Sequence, residues 1–136
     1  MNRSTKTRYV IFQILVEIFK KNKNFDTVFN KFIIDKNFNQ KDLSFINNVC
    51  LNTMRRNIHC KLILKKFCKS AINTNQYILL SSAIVQIVYL KIKPYAVVNE
   101  TVNVAKKIKI SKQFLTNTLL VKILTKKISL LLITYA

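Results

Sequence analysis

No glycine occurs anywhere in the 136-residue chain, and proline occurs once, at Pro94. Hairpin turns in sheet proteins draw on glycine, proline, asparagine and aspartate for their special backbone angles. Asparagine can serve at some of those positions. A sheet protein of this size with no glycine at all nevertheless runs against turn chemistry, so the chain points to helices. The same absence excludes several activities. A Walker-type phosphate loop needs glycine so that backbone amides can approach phosphate. A dinucleotide or S-adenosylmethionine loop on a doubly wound sheet has a similar need. No cofactor of these kinds is expected.

The remaining composition sets the scale and the sign of the field. A chain of 136 residues, half of them apolar, suits one compact domain with a real core. Twenty-four Lys and Arg face five Asp and Glu, a formal charge of +19. Such an excess attracts polyanions: RNA, DNA or an anionic membrane surface. AT-biased codons account for part of the lysine content, but not for the shortage of acidic residues. Nucleic acid is the favoured partner over a membrane-surface role or a functionally idle charged face.

The reactive residue types form no site. Cys50, Cys60 and Cys68 contain no CxxC pair and read as small buried apolar residues in a reducing compartment. His59 is the only histidine, and its neighbour Cys60 points to another helix face, so neither a metal site nor a nucleophile pair is expected. Tyr9–Phe19 is followed by lysines and lacks a small-residue cleavage pattern, so no secretory signal is read. The most apolar internal run, Ile78–Leu90, is too short for a bilayer and contains Ser81, Ser82 and Gln86. The expectation is a soluble cytoplasmic protein with no membrane partner.

Apolar periodicity divides the chain into about seven helices. Ser4 or Thr5 can cap the first, which runs to about Lys21 with Val10, Ile11, Ile14, Leu15, Ile18 and Phe19 on one face. A shorter helix spans about Phe25 to Ile34. Asn39 caps a third, with Asp42 at its third position. Arg55 and Arg56 stand at its C-terminal end, where cations suit the helix dipole and where they could equally contact RNA. Ile58–Phe67 and Thr74–Tyr89 follow. Pro94 fits the first position of the next helix. A last helix is expected from about Ser111 to Lys127, followed by an apolar tail over residues 128–136. Glu100 falls in the second turn of its helix, where the dipole favours a carboxylate, and it could also pair with a cation from a neighbouring helix. No second titratable group stands beside it for acid–base work.

The segment PYAVVNETVNVAKK, Pro94–Lys107, resembles a signature of the NusB-like family. TRYVIFQIL looks like that family's opening helix through Arg8, Gln13 and Leu15. FINNVCLNTMRR, LLSSAIVQIVYLKIKPYAVVNETV and FLTNTLL are similar to further elements, in the family's order, so the likeness covers roughly Lys6 to Leu124. Asn52 and Ala83 stand where the family has glycine, and Val121 where it has arginine. Gln86 and the Arg55–Arg56 pair resemble the branch formed by the N-terminal domains of RsmB-type 16S rRNA cytosine-5 methyltransferases.

This resemblance implies an all-α fold of two small bundles over residues 1–127 and RNA binding without catalysis. The RNA would be rRNA or a nascent transcript. A ribosomal protein, or a methyltransferase domain supplied separately, would be the protein partner. Arg8 and Arg55 are carried over as RNA contacts. Lys6 and Arg56 join them on charge and adjacency. Because the aromatics fall mostly in apolar stripes, little base stacking is expected.

Overall fold

The computed structural model describes residues 1–34, 37–67 and 71–110. Among these it contains six helices and no strand: α1 (Arg3–Lys21), α2 (Phe25–Ile33), α3 (Gln40–Arg55), α4 (Asn57–Phe67), α5 (Thr74–Val88) and α6 (Pro94–Lys107). The expected helix from Ser111 and the tail over 128–136 lie outside the described residues. Among those residues, no helix is long and apolar enough to cross a membrane.

Asparagine takes over the punctuation that glycine leaves vacant. Asn24, Asn39 and Asn73 cap α2, α3 and α5 with their side-chain oxygens. At α5 the cap is reciprocal, because Gln76 also accepts from the Asn73 backbone amide. The first helix starts earlier than Ser4 or Thr5 would allow. Asn2 is its cap and accepts from the Thr5 amide at 2.8 Å. Asparagine is among the strongest N-cap residues, and using it leaves the Thr5 hydroxyl free for another partner. Asn22 follows α1 in the left-handed region at φ 51°. Lys91 and Lys109 adopt the same conformation, at φ 58° and 61°. Pro94 opens α6, where its missing N–H costs nothing.

The helices pack around one continuous core, with α1 and α5 at its centre. Helix α1 packs against α2, α3, α5 and α6. Helix α5 packs on α1, α3, α4 and α6, which explains why it is apolar nearly all round. Val10, Ile14 and Leu15 of α1 meet Ile46 and Val49 of α3, Ile78, Ile84 and Val85 of α5, and Val97 and Val104 of α6 in that core. Cys50 and Cys60 are buried in it too, and burial pushes both thiols up, Cys60 to about 12. A thiol held protonated in this way is a packing group rather than a nucleophile.

Candidate nucleic-acid interface

The N-terminal turns of α1 project cations from a rigid base. Arg8 is the most constrained. Its Nε donates to Gln86 Oε1 at 2.8 Å, its Nη1 donates to Ser4 Oγ at 2.7 Å, and its guanidinium lies 5.0 Å from the centre of the Phe45 ring. Gln86 is only 2% exposed and donates in turn to the Ser82 carbonyl at 3.1 Å. One arginine therefore links α1, α3 and α5. Burial lowers its pKa and Glu100 opposes that shift; a guanidinium stays charged under such a balance. Lys6, two residues back, lies over the Phe38 ring at 5.5 Å.

Glu100 is buried at 7% exposure and accepts the Thr5 hydroxyl at 2.7 Å. It is the seventh residue of α6, beyond the first turn where the dipole acts strongly. The dipole is thus a minor part of its placement. The carboxylate faces α1, holding Thr5 by a hydrogen bond and Arg8 by its field.

Two shallow clefts flank the start of α1. One, about 350 Å³, is lined by Arg3, Ser4, Thr7 and Arg8 of α1 and by Lys41, Asp42 and Phe45 of α3. Arg3 Nε and Asp42 Oδ2 are 2.7 Å apart across it. The other, about 420 Å³, lies between α1 and the end of α6 and is lined by Met1, Asn2, Thr5, Asn103, Lys106 and Lys107.

The four residues expected to contact RNA do not converge. Lys6 and Arg8 belong to the start of α1. Arg55 and Arg56 are exposed at the far end of α3, about 15 Å along the helix from Phe45 by the rise of 1.5 Å per residue. There the Arg56 guanidinium stacks 4.4 Å from the Tyr89 ring centre, and the Tyr89 hydroxyl lies 3.1 Å from His59 Nδ1. The sequence reading missed Arg3, Lys41, Lys106 and Lys107. Arg3 could have been found as part of the basic N-terminal segment. Lys106 and Lys107 could not, because only the packing of α6 on α1 brings them there.

One carboxylate stands apart from this surface. Glu17, on α1 away from the clefts, is ringed by Lys23 at 2.9 Å, Lys31 at 3.1 Å and Lys21 at 3.7 Å. Hydrogen bonds from Lys23 and Lys31 hold its carboxyl down at about 2. Among the described residues, no group of His, Cys, Asp and Glu could hold a metal ion. The exposed cations beside the clefts suit binding of an anionic polymer.

Comparison with known proteins places the fold. The chain is similar to a solved structure of the antitermination factors NusB and NusE in complex with double-stranded RNA. The TM-score is 0.78 at 20% identity, over 90% of this chain and 97% of that one. No curated protein sequence matches. The NusB family model matches residues 5–124. With the all-helical fold in place and the match running over most of its length, the chain belongs to the NusB family.

Proposed function

We propose that this protein is a non-catalytic RNA-binding adaptor of the transcription-antitermination type, acting in the cytoplasm with a ribosomal protein as partner. The observation that carries this reading is the pair of cation-lined clefts at the start of α1, on a NusB-family fold. In the similar solved structure, NusB is accompanied by both NusE and RNA. Lys6, Lys41, Lys106 and Lys107 supply phosphate contacts, and Arg8 supplies a guanidinium already fixed in orientation. Arg55 and Arg56 form an outlying contact on the same strand.

A second reading has one observation in its favour. Gln86, which holds Arg8, suits the methyltransferase branch, and there the same surface would recognise small-subunit rRNA for a methyltransferase domain supplied separately.

The test is fluorescence-anisotropy binding across a salt series, with and without the ribosomal protein. The three RNAs are a single-stranded antitermination element, a small-subunit rRNA stem-loop and a scrambled control. Preference for the first, tightened by the partner and kept as salt rises, is the expected result. Preference for the stem-loop with no effect of the partner would select the second reading. Equal binding to all three, collapsing together with salt, would overturn both.

A further inference from the structure

We propose that the cleft between the first turns of α1 and α3 is a nucleobase pocket, taking one unpaired RNA base that carries an exocyclic amino group. This rests on the RNA-binding reading above and names what one part of that surface recognises. Three features separate this cleft from a phosphate cradle.

The first is a flat, rigid surface. Phe45 lines the cleft and carries the Arg8 guanidinium at 5.0 Å. Bonds to Gln86 and Ser4 lock the plane of that guanidinium. Bases splayed from a strand stack on aromatic rings and on guanidinium planes alike, and a plane fixed beforehand loses little freedom on binding. Phe45 packs against the core and also lines the cleft.

The second feature is a carboxylate. Asp42 would repel phosphate, but aspartate accepts hydrogen bonds from base amino groups. Arg3, 2.7 Å away, holds it in place. Cytosine, adenine and guanine offer such an amino group and uracil does not.

The third is the contrast with the neighbouring cleft. That site is lined by Met1, Asn2, Thr5, Asn103, Lys106 and Lys107, with no ring and no carboxylate. It has the composition for backbone phosphates. A strand crossing the start of α1 would set phosphates on one side and a base on the other.

The experiment is an abasic scan. Single-stranded RNAs that bind the wild-type protein are remade with one base removed at a time, all phosphates kept, and affinity is read by anisotropy. The expected result is one position where base removal weakens binding about tenfold. Uracil there should weaken binding as well. Phe45→Leu should erase the sensitivity at that position alone, and Asp42→Asn should erase the discrimination against uracil. A scan in which every position tolerates base loss equally would overturn the pocket and leave the RNA-binding reading standing. So would a preference for fully paired RNA. Failure of the wild-type protein to bind any strand would overturn both. The wild-type scan is decisive even where a variant fails to fold.

Discussion

A lysine at position 8 would keep the charge and lose the fork. Arg8 bonds Gln86 and Ser4 while lying over Phe45, a geometry that needs a planar group with several donors. Arg8→Lys should leave the buried Gln86 oxygen unpaired and destabilise the fold by about 1–3 kcal/mol. Urea unfolding measures this, and an unchanged midpoint would show that the network carries no stability. At this scale the sequence was only partly legible. Arg8 could be picked out as a cation at the start of a helix. Its hydrogen-bond partner Gln86 lies 78 positions away and could not be read from local spacing. Glu100 could be read as a helix-start charge or as a partner for a cation on a neighbouring helix, but its hydrogen-bond partner Thr5, 95 positions distant, could not be named.

Helix ends carry the consequences of a glycine-free chain. The N–H of Ile110 closes on the Ala105 carbonyl at 3.0 Å, and Lys109 occupies the left-handed position at φ 61°. Glycine is the usual residue there, since a Cβ is disfavoured in that conformation. Lys109→Gly should therefore stabilise the protein by about 0.5–1 kcal/mol, partly offset by the greater entropy of glycine in the unfolded chain. A rise in thermal midpoint checks it. The α1–α2 junction depends on pH. Glu17 ionises in the folded protein at about 2, below its ordinary value of 4.5, so the folded state favours the carboxylate. The stability this contributes is full above pH about 4.5 and is lost as pH falls toward about 2. Glu17→Gln should flatten thermal stability across that window, relative to wild type. An identical pH profile for the two proteins would count against the clamp. The elements themselves were readable: the stop at Asn22, the cap at Asn39 and the opening at Pro94 all follow from local chemistry. The start of α1 was less so, because Asn2, Ser4 and Thr5 are all competent caps and local chemistry does not choose among them.

Across the whole molecule, charge is distributed rather than gathered at one spot. Cations at the start of α1, at the end of α6 and at the end of α3 occupy separate parts of the surface. Neutralising Lys106 and Lys107 together by alanine should lower the slope of log affinity against log salt by about 0.7 for each single-strand phosphate that these lysines neutralise in the wild type. Arg55→Ala with Arg56→Ala should do the same without altering preference among RNA sequences. Anisotropy titrations at several salt concentrations would measure both. A change in sequence preference on removing Arg55 and Arg56 would mean that they read bases and do not merely hold the backbone.

The sequence by itself determined the helical class, the approximate helix boundaries, the apolar faces and the excess of positive charge. These follow from turn chemistry, from the 3.6-residue period and from simple counting, all of which act over a few neighbouring positions or none. Tertiary structure alone decided which cations share a cleft, that Arg8 is braced by Gln86, and that Phe45 lines a surface opening. It also decided that Glu100 is a buried acceptor facing α1. Those properties depend on contacts between residues tens of positions apart. The packing of α1 against α3, α5 and α6 creates them, and no local pattern encodes them.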